Sequence, residues 1–136
     1  MARMSRALPR PTDGELAILR VLWDEGPSTV RQVHDKLGRD TAYTTVLKLM
    51  QIMTEKGLVR RDEAERTHVY CATCSEQTTQ RQLVRNLLDK AFAGSAGALV
   101  LQALATRRAT GEELRQIREL LDQHESKGQE QKGGRP

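Results

Sequence analysis

Few residues in this chain are equipped for chemistry, and they fall in two places. Cys71 and Cys74 form a Cys-x-x-Cys pair, a spacing used by thiol oxidoreductases and by one half of a four-ligand zinc site. No βαβ context surrounds the pair, no aromatic residue stands beside the first Cys, and the chain has two cysteines in all. Neither a thioredoxin-like centre nor a complete four-cysteine zinc site is therefore predicted. His68 precedes Cys71 by three residues, and alternation along a strand turns the two to opposite faces. Metal or redox sensing through Cys71 and Cys74 stays as an alternative, with no metal ligand set assigned. His34 is expected on the exposed face of a helix and His124 near the tail, both solvated. The chain has no His-Glu-x-x-His, Gly-x-Ser-x-Gly, Walker or Gly-x-Gly-x-x-Gly signature, so no enzyme activity and no cofactor are predicted.

The second place is the stretch Ala42-Tyr-Thr-Thr-Val-Leu-Lys-Leu-Met-Gln-Ile-Met-Thr-Glu-Lys-Gly57. Val46, Leu49, Met50 and Met53 recur at helical spacing, which predicts a helix with one buried face. Tyr43, Thr44, Thr45, Leu47, Lys48 and Gln51 are left for the outward faces, mostly near the N-terminal end. Thr hydroxyls bond phosphate or base acceptors, a Thr methyl meets a thymine methyl, and Lys reaches a phosphate or a guanine edge. The helix N-terminus itself favours an anion. An amphipathic helix with a merely solvated polar face fits the same periodicity.

The elements that would position these residues follow from pattern. Thr12 or Asp13 caps a first helix carrying Leu16, Ile18, Leu19, Leu22 and Trp23, and Gly26-Pro27 ends it. Ser28 is placed as the cap of a short second helix with Val30, Val33 and Leu37, which stops at Gly38. Arg39, Asp40 and Thr41 lead into the third helix, closed by Gly57. Two short runs rich in Val, Leu, Thr and Tyr then flank a polar turn from Asp62 to Arg66, which reads as a β-hairpin. Helix, short helix, longer helix and hairpin is the order of a winged helix, whose third helix enters the major groove. The fold class is thus mainly α with a small β-hairpin: a winged helix-turn-helix followed by a helical arm.

Composition agrees. The chain has 136 residues, 38% hydrophobic and 3% aromatic, with 22 Lys and Arg against 18 Asp and Glu for a net charge of +4. A Leu/Val/Ala core is within reach while a large aromatic-lined cavity is not. The basic excess is spread evenly and permits a nucleic-acid partner without demanding one. No stretch has the length of a membrane span, and the start lacks the apolar run of a signal peptide, so a cytoplasmic protein with reduced thiols is expected. The domain reading is a basic, flexible arm over 1–10 with Arg3, Arg6 and Arg10, a winged helix over 11–73, a helical dimerisation domain over 74–124, and a disordered tail over 125–136. Within the arm, helical patterns run over Leu83 to Ala91, Leu99 to Leu104, and from Thr110, where Thr-x-x-Glu forms a capping box with Glu113. Three short Leu/Ala-rich helices cannot close a core alone. A second copy of the chain is the natural cover for Leu83, Leu87, Leu99, Leu101, Leu114, Ile117 and Leu121, so a homodimer is predicted.

The segments ELAILRVLW, TVRQVHDKL, AYTTVLKLMQIMTEKGLVRR, RTHVY, FAGSAGALV and EELRQIRELL resemble the BlaI/MecI penicillinase-repressor family from Pro11 to about Gln123. The combination that carries the resemblance is Leu22-Trp23, Thr44-Thr45-Val46, Lys56-Gly57-Leu58 and Tyr70. It implies a dimeric bacterial repressor binding a palindromic double-stranded DNA operator of the TACA/TGTA type, controlling β-lactam resistance or related genes. By the same resemblance Thr44, Thr45 and Lys48 occupy recognition-helix contact positions and Arg61 and Arg66 flank the wing; Thr41 and Tyr43, at the start of the same segment, complete the candidate DNA-binding residues. Relatives with Gly-Arg at the wing tip contrast with Glu65-Arg66 here. A Lys and an Arg in the third helix of some relatives are Thr44 and Leu47 here. The Cys-x-Cys pairs of copper-responsive relatives are absent. The family's induction by a membrane sensor pathway, through proteolysis after a Leu-Val-Leu-like run, would map to Gln102-Ala103 behind Leu99-Val100-Leu101, where an Asn-Phe bond is replaced. A winged-helix protein-interaction adaptor is the remaining alternative.

Overall fold

Thr12 sets the first helix by a reciprocal capping box: its hydroxyl accepts the Glu15 N–H at 3.2 Å while the Glu15 carboxylate accepts the Thr12 N–H at 2.9 Å. In this computed structural model, which describes residues 10–64 and 66–133, that helix is α1 (Asp13–Glu25). Arg3 and Arg6 of the basic arm, Glu65 of the wing turn and the last three residues lie outside the described residues. There follow α2 (Val30–Leu37), α3 (Tyr43–Lys56), β1 (Val59–Asp62), β2 (Val69–Ala72), α4 (Glu76–Ala91), α5 (Ala96–Thr106) and α6 (Gly111–Gly133). Among the described residues, six helices with one two-stranded antiparallel sheet make a winged helix with a helical C-terminal segment, as the sequence indicates. Among the described residues no single helix is long and apolar enough to cross a membrane.

The chain divides into two units between Leu87 and Leu88. In the first, Ile18, Leu19 and Leu22 of α1, Val30 and Val33 of α2, and Val46, Met50 and Met53 of α3 close one core with Leu58, Val59 and Tyr70. The buried face of α1 is thus Glu15-Ile18-Leu19-Leu22; of the apolar residues expected on this helix, Leu16 and Trp23 are half-buried. Gly57 ends α3 with φ of 85° and ψ of 11°, the left-handed geometry that glycine adopts without strain. Its neighbour Leu58 donates to the Met53 carbonyl at 2.9 Å and turns the chain into the wing.

Two local readings of the sequence are corrected, at the start of α2 and at the end of α6. Thr29, not Ser28, caps α2, because Gln32 three residues on completes a second capping box at 2.9 and 3.1 Å. Ser28 is instead buried and pairs with Tyr70 through two backbone bonds of 2.8 and 2.9 Å, adding a bridge to the edge of the hairpin. The expected boundary at residues 73 and 74 follows the end of β2 and lies within the first unit. There the Trp23 indole N–H donates to the Cys74 carbonyl at 3.0 Å, Thr73 bonds the Gly57 and Leu58 carbonyls, and Thr79 of α4 is buried. The tail expected to be disordered from residue 125 continues α6 to Gly133. Its Glu, Lys and Gln are good helix formers, and extending an existing helix avoids the cost of a new nucleus.

In the second unit Thr110 and Glu113 form the expected reciprocal cap of α6, at 2.8 and 3.0 Å. Arg115 pairs with Glu112 and Glu119 on the solvated face.

Glu15 is 1% exposed, and Lys56 at the end of α3 donates to both its oxygens at 2.9 Å. Burial alone pushes this carboxyl up, but the Thr12 N–H and the Lys56 ammonium outweigh it and hold the pKa below the ordinary 4.5. A depressed native pKa stabilises the fold above the unfolded value and loses that contribution as pH falls through the native value. Glu15→Gln is therefore expected to cost about 1–3 kcal/mol at pH 7. The gap between the two proteins, measured by urea unfolding, should narrow as pH drops from 4.5 downward. A gap that does not change with pH would mean that the Glu15 charge contributes nothing.

Candidate nucleic-acid interface

With Val46, Met50 and Met53 turned into the core, α3 presents Thr44, Thr45, Lys48 and Gln51 as exposed side chains along its other side. Lys48 makes no ion pair with any described residue. Leu47, expected outside, is half-buried and packs on the core. Ala42 stands at the N-cap and supplies no side-chain hydrogen bond. The first N–H groups of α3 are thus left to water or an anion, at the positive end of the helix dipole.

The turn between α2 and α3 is fixed by His34, which the sequence pattern assigns to solvent. His34 is half-buried, and its Nε2–H donates to the Thr41 carbonyl at 2.8 Å. The bond to a carbonyl requires the proton on Nε2. Its ring meets Tyr43 edge-on, with centroids 5.7 Å apart, and the Arg31 guanidinium lies over the Tyr43 ring at 5.5 Å. Thr41 is half-buried and Tyr43 is 39% exposed. Arg31 and His34 are not among the contact residues expected from sequence. Their spacing of three on α2, beside the Val30-Val33 stripe, was the available signal.

The wing is the β1–β2 hairpin, with Arg61 opposite Tyr70 and Asp62 opposite Val69. The Asp62 carboxylate accepts the Ala64 N–H at 2.9 Å and forms the turn without Gly or Asn. Arg61 does not stand free. Its Nε and Nη2 donate to Glu63 at 3.1 and 2.9 Å, and His68 lies 3.8 Å from the other Glu63 oxygen. The Tyr70 hydroxyl and Glu63 raise the Arg61 pKa above its ordinary value. Arg66 is exposed and makes no ion pair with a described residue. It lines a groove of 590 Å³ between α2, α3 and the wing, together with Thr29, Arg31, Tyr43, Leu47 and His68. Thr41, Tyr43, Thr44, Thr45 and Lys48 thus gather along the turn and the start of α3, and Arg61 and Arg66 lie in and beside the wing.

Cys71 and Cys74 are half-buried free thiols at the end of β2. Among the described residues no group of three His, Cys, Asp or Glu is placed to hold a metal ion.

Of the apolar arm positions, Leu83, Leu99, Leu114 and Ile117 are half-buried and Leu87, Leu101 and Leu121 are exposed. No residue after Thr79 is buried among those described, and α5 buries none of its eleven residues. Gln102 and Ala103 are exposed inside α5, where the Thr106 hydroxyl donates to the Gln102 carbonyl at 2.6 Å.

Comparison with known proteins accords with this arrangement. The penicillinase repressor family matches residues 11–123. The chain is similar to the penicillinase repressor of Bacillus licheniformis, 20% identical over 92% of this chain and 99% of that protein. It is also similar to the transcriptional regulator BlaI of Mycobacterium tuberculosis, 44% identical over 46% of this chain and 48% of that protein. Among solved structures, the transcriptional regulator Tm0710 of Thermotoga maritima aligns with 91% of this chain and 80% of that one, at 18% identity and a TM-score of 0.47. That last likeness adds nothing to the assignment. With the family match spanning both the winged helix and most of the helical segment behind it, this chain belongs to the penicillinase repressor family of DNA-binding transcriptional repressors.

Proposed function

We propose that the chain acts in the cytoplasm as a homodimer that sets two α3 helices into successive major grooves of a palindromic operator, of the TACA/TGTA type, and represses genes of β-lactam resistance or a related response. The observation that carries the reading of α3 is its exposed N-terminal half. Thr44, Thr45 and Lys48 stand there side by side, Lys48 without an ionic partner among the described residues, on a helix whose opposite face is locked into the core. In this reading Thr44, Thr45 and Lys48 meet base edges and nearby phosphates, Thr41 and Tyr43 meet the backbone at the helix start, and Arg61 and Arg66 reach it from the wing. Arg61 exchanges Glu63 for a phosphate on binding, which lowers its net contribution.

The reading of the arm rests on α5. Of its eleven residues only Gln102 and Thr106 carry polar side chains, and none of the eleven is buried. An apolar helix left open in a single chain calls for cover, and a second copy supplies it with the two-fold symmetry of a palindromic operator. Induction through a membrane sensor pathway would cut Gln102-Ala103 and separate Leu114, Ile117 and Leu121 from the rest of the interface. The bond lies inside a helix, so a protease gains it only after the last turns of α5 unwind.

Lys48→Ala and Thr45→Ala should each weaken operator binding by about 1–3 kcal/mol with unchanged thermal stability, read by gel shift across several salt concentrations. Unchanged affinity in a folded variant removes that residue from the contacts, and equal binding to all sequences by the parent protein favours the adaptor alternative. In the same assay Cys71→Ser/Cys74→Ser should stay within a few-fold of the parent. A larger loss turns the reading toward metal or redox sensing through those thiols.

Leu101 is 70% exposed and Leu121 is 55% exposed in the single chain. Charging both, as Leu101→Asp/Leu121→Asp, is expected to leave a monomer whose winged helix stays folded and to abolish tight operator binding. Sedimentation velocity reads the change, and a dimer that survives puts the interface elsewhere. For induction, mass spectrometry of the protein from derepressed cells should find a fragment ending at Gln102, whereas intact chain under full derepression excludes cleavage there.

A further inference from the structure

We infer that Arg31 of α2 is a further phosphate-binding residue, outside both the recognition helix and the wing, and that Tyr43 is the residue that positions it. The inference rests on the operator-binding reading above and specifies how the backbone is gripped beside α3.

Three observations lead to it. Arg31 makes no ion pair with a described residue, yet its guanidinium lies 5.5 Å above the Tyr43 ring centroid. A long side chain on a short helix is thereby held in one orientation without a carboxylate neutralising it. The Tyr43 ring is in turn set by His34, which meets it edge-on at 77° and is itself fixed by its 2.8 Å bond to the Thr41 carbonyl. Arg31 also lines the same 590 Å³ groove as Arg66 of the wing, with Thr29 and His68. Two guanidinium groups from different elements, neither paired with a described carboxylate, converge on a cleft that opens beside the DNA-facing side of α3. The guanidinium fork is matched to the two free oxygens of a phosphodiester.

The contrast with Arg61 sharpens the assignment. Arg61 is bound by Glu63 and gives up an ion pair to reach phosphate, whereas Arg31 gives up nothing, because a cation over an aromatic face keeps its outward N–H groups free. Arg31 therefore carries more of the backbone contact than the wing arginine that the sequence pattern singles out. A phosphate contact reads no base, so its loss weakens all sequences alike.

The probe is a duplex selected by the full-length parent protein from a random-sequence library, together with single-base variants of it. Arg31→Ala is expected to lose about tenfold in affinity on every duplex, with the ranking of duplexes kept and the salt slope shallower by about 0.9 per protomer. Arg31→Lys should restore the slope and part of the affinity, since it keeps the charge and loses the planar stack. Tyr43→Phe keeps the ring under Arg31 and should retain the parent's salt slope, while Tyr43→Leu should make the slope as shallow as Arg31→Ala does, and the Arg31→Ala/Tyr43→Leu double variant should have the slope of Arg31→Ala alone. Arg31→Ala with parental affinity and slope overturns the inference while leaving the operator reading intact. A parental salt slope in Tyr43→Leu overturns the positioning role of Tyr43. A parent protein that selects no sequence sinks the operator reading, and this inference with it. Thermal unfolding midpoints equal to the parent's confirm that folded variants are being compared.

Discussion

The Glu15 carboxylate sits almost wholly out of water and keeps its charge because the Thr12 N–H and both contacts from Lys56 replace the solvent it has lost. An unmatched carboxylate at that depth would cost several kcal/mol, so the pair holds only where all three groups meet. Lys56 is the last residue of α3 and Glu15 lies in the first turn of α1. The pair therefore fixes the C-terminal end of α3 against the start of α1. At the other end the His34 bond to the Thr41 carbonyl fixes the approach to α3, and the Ser28–Tyr70 bridge holds the wing beside it. Between these anchors the apolar face of α3 has one way to lie, and its exposed face one direction to point.

Much of this was legible from residue spacing because the strongest local signals coincided with tertiary contacts. Gly57 after an i, i+3, i+4, i+7 stripe marked the end of α3, and Thr110 with Glu113 marked the start of α6, since both motifs act within a few residues of themselves. What escaped required partners distant in sequence. Nothing in the local pattern marks Glu15 as a core residue, because its partner Lys56 lies forty-one positions away. His34 looked solvated for the same reason: the Thr41 carbonyl that holds it exists only once the turn has formed. Ser28 passed for a cap because Ser is a common one, while its backbone was claimed by Tyr70 on the hairpin. The end of α6 departs in the opposite sense, since Gly residues and a polar composition suggest disorder where helix propagation suffices.

The wing shows how a small element can carry charge without advertising it. Glu63 accepts from Arg61 on one oxygen and lies near His68 with the other. The hairpin consequently presents less free positive charge than its count of basic residues suggests. Meanwhile α2, usually regarded as a support, presents a guanidinium held by an aromatic ring. The distribution of usable charge thus differs from the distribution of basic residues, and the difference is made by which of them already have acidic neighbours.

The absence of any buried residue beyond Thr79, among those described, bears on dosage. In the proposed dimer, ordering of the arm and pairing of two chains are one event, so the arm has little stability that is independent of protein concentration. Below the dimer dissociation constant, the population of operator-competent protein then grows with the square of the number of chains in the cell. A modest drop in repressor copies, by slower synthesis or by removal of a fraction of them, would be felt at the promoter as a larger drop in occupancy. Steepness of response would come from an uncovered helix, with no ligand required to produce it.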